Sequence, residues 1–216
     1  MKLISKLKDP VSGLTHLLGV ILSIIGLIAL IKIANFKNDN IYIMSSLVFG
    51  ISLILLYTAS SIYHLLNVSK KISNVLRRID HMMIYILIAG TYTPICLIGI
   101  NNRFGKGFLI FIWIIAILGI FQKVFWFNAP RIISTCMYIM MGWMSIALFV
   151  PLIKCIEING IMWLVIGGVL YSIGGIVYAL KWPLTNAKYF GFHEIFHIFV
   201  LLGSWCHFYM IYNYIM

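Results

Sequence analysis

A chain of 216 residues that is 62% hydrophobic and 10% charged, with a formal net charge of +11 and a mean hydropathy of +1.04, is too apolar for a water-soluble domain, where the apolar share lies near one half. It reads as an integral membrane protein. The basic excess is scattered in short clusters with no separate basic domain, which excludes a nucleic-acid partner and leaves membrane lipid as the partner that composition implies.

Apolar runs long enough to cross a bilayer recur at about 14–33, 41–66, 80–100, 107–126, 131–152, 160–180 and 192–214. The pattern predicts an all-α, polytopic bundle of seven transmembrane helices, one domain over residues 1–216 with residues 1–12 as a short basic lead-in. No small-residue cleavage site separates the first run from the second, so the first is expected to be a retained helix and not a removed signal peptide. The four cysteines, Cys96, Cys136, Cys155 and Cys206, sit in or at the ends of separate spans and form neither a disulfide framework nor a Cys-x-x-Cys knuckle; they read as packing residues.

Basic residues near span ends are retained on the cytoplasmic side. One face of the expected bundle carries Lys2, Lys6, Lys8, Lys70, Lys71, Arg77, Arg78, Lys123, Arg131, Lys181 and Lys188, eleven of the 16 basic residues. That places the amino terminus in the cytoplasm and, after an odd number of spans, the carboxyl terminus outside.

In chain order, Pro10 suits the first turn of a helix, so His16 in Ser12-Gly13-Leu14-Thr15-His16 starts span one near the cytoplasmic level. By itself it reads as a boundary histidine bonded to water or backbone; only the groups that gather at the same level set a role in supporting a nearby site beside that reading. Span two ends in Ser60-Ser61-Ile62-Tyr63-His64, with Ser60 and His64 on one helical face; bonding to its own backbone is the bland role for Ser60. Span three begins with Arg77-Arg78-Ile79-Asp80-His81. A carboxylate at that depth is costly unless it meets a cation or an arginine, and a salt bridge from Asp80 to Arg77 stands beside a metal-site role. His81 projects roughly 100° away from Asp80 and is expected to pack elsewhere. Thr91-Tyr92-Thr93-Pro94 predicts a kink at membrane depth.

Spans four to six carry little chemistry. Trp113, Trp126, Trp143, Trp163 and Trp182 are expected mostly at span ends as interfacial anchors, Pro130 and Pro151 punctuate span five, and Gly167-Gly168, Ser172 and Gly174-Gly175 form a small-residue packing surface in span six. Span seven opens with His193-Glu194-Ile195-Phe196-His197, whose histidines share one face roughly 6 Å apart. Two titratable groups at the start of an apolar span point to a ligand or a wet cavity. His207 lies about 15 Å further along the helix and on another face.

The predicted topology brings the end of span two and the starts of spans three and seven to one level, so His64, Asp80, His193 and His197 can meet. Three imidazoles with a carboxylate, either as fourth ligand or holding a water, suit zinc.

These motifs, namely Ser12-Gly13-Leu14-Thr15-His16, Ser60-x-x-x-His64, Arg78-Ile79-Asp80-His81 with Tyr85-x-Leu87-x-Ala89-Gly90-Thr91-Tyr92-Thr93-Pro94, and Gly191-Phe192-His193-x-x-x-His197, resemble in order those of the hemolysin III proteins, the bacterial branch of the progestin and adipoQ receptor family. The resemblance implies seven helices with a cytoplasmic amino terminus and zinc held by His64, His193 and His197, with Asp80 and Ser60 nearby as candidate catalytic residues. It also implies amide hydrolysis of ceramide-like lipids, as in the receptor members, or a part in membrane-lipid homeostasis, as in bacterial ones. Two function classes fit: a metal-dependent hydrolase of a lipid amide or ester, and a non-catalytic sensor or pore-forming, cytolytic protein with a structural zinc. A zinc protease with Glu194 as base fits less well, because the Leu-Asp-Gly-type sequence expected to supply its aspartate is absent.

Overall fold

The seven helices follow from seven apolar runs separated by short polar or charged connections. In a computed structural model describing residues 7–126, 129–183 and 190–216, the spans are α1 (Pro10–Lys37), α2 (Asn40–Leu65), α3 (Lys70–Ile100), α4 (Arg103–Phe125), α5 (Arg131–Ile153), α6 (Ile158–Leu180) and α7 (Phe192–Ile215), each long and apolar enough to cross a membrane. Lys2, Lys6 and Lys188 of the orientation argument lie outside the described residues. The turns are local chemistry. Asn38, in the left-handed region at φ 51°, ends α1, and the Asp39 side chain caps α2 by accepting from the Ile41 amide at 2.8 Å. Asn101 and Asn102 repeat the device between α3 and α4, with Asn102 Oδ1 accepting from the Gly105 amide at 2.9 Å.

Helices α1, α2, α3, α5, α6 and α7 close a ring in which each packs on the next and α7 returns to α1, while α4 packs chiefly on the outside of α3. Burial reflects this arrangement: 61% of the most apolar window of α3 is buried, against 28% for α1 and α4. The outer surface is lined by leucine, isoleucine, valine and phenylalanine, among them Ile25, Ile110, Leu118 and Val150, as a lipid-facing surface requires. Gly167 and Gly174 let α7 approach α6. A Cβ at Gly167 would meet the His207 ring at 2.6 Å, and one at Gly174 would meet Phe199 Cβ at 2.8 Å.

Three expectations change in detail. Beyond Pro94 the backbone of α3 does not simply kink: Ile95–Ile100 widens into π-type bonding, closed by the Asn101 amide on the Cys96 carbonyl at 3.2 Å. Proline removes one amide donor, and the Thr91 and Thr93 hydroxyls bond the Leu87 and Ala89 carbonyls at 2.8 and 3.1 Å. Trp113 and Trp143 are not interfacial anchors, because their indole N–H groups donate inside the bundle to Thr93 (3.4 Å) and Ser172 (2.8 Å); Trp126 and Trp182 are exposed at span ends as expected. Of the cysteines, Cys96 and Cys206 are buried and Cys136 and Cys155 exposed, all as free thiols.

Candidate metal centre

Antiparallel helices deliver the sequence motifs to one end of the ring. His64 lies one residue from the end of α2, and His193 and His197 lie in the first two turns of α7. Their ring nitrogens gather so that one potential ligand atom from each lies within 4.8 Å of the others. His64 Nε2 and His193 Nε2 are 3.2 Å apart, close to the roughly 3.4 Å expected between two imidazole nitrogens bound at about 2.1 Å to one tetrahedral ion. His64 and His197 are almost wholly buried.

Hydrogen bonds decide which nitrogen of each ring faces the cluster. His64 Nδ1 is 3.1 Å from Asp9 Oδ2, and His197 Nδ1 is 3.2 Å from the Ser12 carbonyl. A carboxylate and a carbonyl only accept, so both Nδ1 atoms carry the proton and both Nε2 lone pairs are left for a metal. Orientation of ligand histidines by carboxylates and carbonyls is how metal sites fix the tautomer. The donor set therefore fits a divalent ion that prefers neutral imidazole.

Asp9 is the residue that sequence reasoning missed. It occupies the position before α1 where an aspartate normally caps the helix, yet its side chain makes no capping bond and turns to His64. Its own amide donates to the His64 carbonyl at 2.9 Å, tying the start of α1 to the end of α2. The bond to His64 holds the Asp9 carboxyl below its usual range against the opposing effect of burial, so it is the charged form that faces the imidazole. The available signal was scarcity: of five acidic residues in the chain, Asp9, Asp80 and Glu194 all fall at the histidine end.

His16 belongs to the same assembly. Its ring stacks on His197 with centroids 3.7 Å apart and planes 21° from parallel, and neither of its nitrogens has a hydrogen-bond partner. Glu194 holds two helices together. Its Oε2 accepts from the Gly191 amide at 2.8 Å and its Oε1 from the Ser12 hydroxyl at 2.7 Å, linking α7 to α1.

The cluster opens on a cavity of about 510 Å³ inside the ring. Ser60, buried one turn before His64, and Asp80 both line it, but Asp80 is not within the three-histidine cluster. Its carboxylate lies 3.8 Å from His81 Nδ1. His81 does not pack elsewhere: it also lines the cavity, with Nδ1 2.6 Å from the Arg77 carbonyl and Nε2 3.4 Å from the Tyr178 hydroxyl. On α3 the lining runs from Arg77 to Ile95, 18 residues apart, or about 27 Å at about 1.5 Å per residue. The deeper wall includes Ile88, Phe149, Leu164 and Val165. His207 lies in this deeper part, with Nε2 3.2 Å from the Leu164 carbonyl, apart from the cluster as its spacing predicts.

Seven spanning helices, six of them closed in a ring around a three-histidine cluster and a long, largely apolar cavity, define a polytopic membrane protein with a potential intramembrane metal centre. Residues 4–208 match the model of the family described as Haemolysin-III related, and the chain belongs to that family. It is 38% identical over 197 residues to the Hemolysin-3 homolog of Bacillus subtilis (strain 168), covering 91% of this chain and 89% of that one. It is 37% identical over 209 residues to Hemolysin-3 of Bacillus cereus, covering 97% and 92%. A more distant relative is the human monocyte to macrophage differentiation factor, 23% identical over 205 residues, covering 93% and 82%. Seven spans and bacterial relatives of this kind make it a multi-pass plasma-membrane protein.

Proposed function

We propose that this protein is a zinc-dependent hydrolase of membrane-lipid amides or esters, acting at the cytoplasmic side of the membrane in lipid homeostasis, with His64, His193 and His197 as the metal ligands. The observation that carries this reading is the opening of the histidine cluster onto a long, largely apolar cavity that also holds Asp80 and Ser60. Three neutral imidazoles suit zinc above harder cations, and three protein ligands are the number found in its catalytic sites. When bound, zinc supplies Lewis acidity that polarises a carbonyl and makes water more acidic.

The chain supplies the rest. The apolar wall takes an acyl chain and excludes bulk water, which fixes where the carbonyl can lie. Asp80 accepts the proton of the attacking water as general base, and Ser60 donates a hydrogen bond to the polar part of the lipid. Water adds its oxygen to the acyl carbon, the C–N or C–O bond breaks, and the proton passes to the departing nitrogen or oxygen, leaving a fatty acid and an amine or alcohol. A second reading, a cytolytic or sensing protein with a structural ion, draws on the name Hemolysin-3 carried by a relative and on the bonds through which the site ties α1 to α2 and α7.

Metal content together with fatty-acid release tests the proposal. Protein purified without chelators is expected to hold about one zinc per chain and to release fatty acid from lipid vesicles. His193→Ala should lose both properties, whereas Asp80→Asn should keep the metal and lose about 100-fold or more in rate. Absence of zinc would sink the reading; bound zinc with no release from any lipid offered would leave the structural role.

A further inference from the structure

Around the cavity from the histidines, on the side formed by α3, α4 and α5, lies a group of cations that the hydrolytic chemistry does not use. Arg77, Lys123 and Arg131 all line the cavity. Lys123 is only 4% exposed although it belongs to α4, the helix outside the ring; its ammonium reaches inward and donates to the Ser134 hydroxyl on α5. Arg131 lies with its guanidinium 4.4 Å over the Tyr178 ring and donates one bond, at 3.3 Å, to the Tyr178 carbonyl, leaving most of its five N–H donors for other acceptors. Among the described residues neither Lys123 nor Arg131 has a carboxylate partner. Arg77 lies within electrostatic reach of Lys123, and Arg131 within reach of His193.

The carboxylates of the cavity do not balance this charge. Asp9 is bonded to His64, Glu194 to Gly191 and Ser12, and Asp80 lies against His81, so among the described residues none of the three pairs with Lys123 or Arg131. Basic residues that merely fix orientation extend along the membrane surface into water and headgroups. A buried ammonium that donates to a single hydroxyl is costly unless an anion joins it.

We propose that Lys123 and Arg131, with Arg77 beside them, bind the phosphate of an anionic lipid headgroup while the acyl chain runs down the apolar cavity. This rests on the hydrolase reading for its meaning as substrate recognition, and it names the substrate class: an acylated, phosphate-bearing lipid in preference to a neutral one. In such a lipid the acyl carbonyl is only a few bonds from the phosphate, and one molecule can therefore place its headgroup on the cations and its carbonyl toward the histidines.

Equilibrium binding tests it without turnover. Purified zinc-loaded protein in an uncharged detergent is titrated with palmitoyl lysophosphatidate, with monopalmitoylglycerol and with inorganic phosphate, read by native mass spectrometry. Lysophosphatidate is expected to bind about tenfold or more tighter than the neutral lipid, the gain of charge-assisted bonds. Lys123→Met and Arg131→Gln should each erase most of that preference, and Lys123→Arg should keep it. Equal affinity for the two lipids in the unaltered protein overturns the assignment whether or not the variants fold. A preference unchanged in both charge-removing variants overturns it too, and inorganic phosphate binding as tightly as lysophosphatidate overturns the lipid source in favour of a free anion. No preference in the unaltered protein together with intact hydrolysis would remove only the headgroup assignment; a preference without hydrolysis of any lipid would remove only the hydrolase reading.

Discussion

At the scale of single residues, the histidines and the aspartate beside them were unequally legible. His193 and His197 are readable because four-residue spacing is a fixed geometric statement about one helix, and His64 because alternation of spans sets its level. Asp9 obeys no such rule. It precedes the first helix in the position of a cap, and only the fold shows that its carboxylate serves a ring 55 residues away. Its role has a measurable consequence. Asp9→Asn keeps the size and an acceptor oxygen but removes the charge that holds the Nδ1 proton of His64, so zinc affinity is expected to fall about 10- to 100-fold while helix content stays unchanged. Competition with a chromogenic chelator reads this directly; an unaltered affinity would reduce Asp9 to a tether between α1 and α2. His81 teaches the same limit from the other direction, since adjacency on the helical wheel predicted divergence from Asp80, and the wide cavity accommodates both.

At the scale of elements, apolar length made each helix readable but said little about what lies inside it. Tryptophan favours the membrane interface, which predicts Trp113 and Trp143 as anchors; each lies near the middle of its span, and a buried indole N–H needs a partner more than it needs the membrane surface. The glycines of α6 were legible, because close helix approach has few other solutions. Gly167 makes the sharper test, as a Cβ there would strike the His207 ring within the helix that also carries His193 and His197. Gly167→Ala is expected to force α7 outward or turn that ring, at a cost of about 1–3 kcal/mol from overpacking, seen as a lower thermal midpoint in detergent. Gly107, which has open space around it, serves as the control: Gly107→Ala should leave the midpoint unchanged or slightly higher, because alanine is the better helix former. If both variants melt alike, the close approach of α6 and α7 at Gly167 contributes nothing to the stability of the bundle.

At the scale of the whole molecule, the placement of the candidate site depends on orientation, which hydropathy alone does not supply. The end of the bundle that carries Asp9, His64, Asp80 and His193 also carries Lys8, Lys70, Lys71, Arg77, Arg78, Lys123, Arg131 and Lys181, whereas Lys32, Lys37, Arg103, Lys106 and Lys154 fall at the other end. Short loops with this bias stay in the cytoplasm during insertion, so the histidine cluster is expected at the cytoplasmic leaflet, where anionic lipids attract the same basic residues. On that orientation seven spans are expected to carry the chain from an inside amino terminus to an outside carboxyl terminus. A phosphatase reporter that works only outside the cytoplasm, fused after Met216, should be active, and the same reporter placed in the 66–69 connection between α2 and α3 should be silent. The reverse pattern would move the cavity mouth to the outer leaflet, and with it the pool of lipid from which any substrate must come. Neutralising Lys70 and Lys71 together gives the graded form of the test. These residues are exposed and make none of the hydrogen bonds at the cluster, so a shift of the reporter toward mixed orientation would mark the basic residues as topological determinants in their own right, independent of any part they play around the cavity.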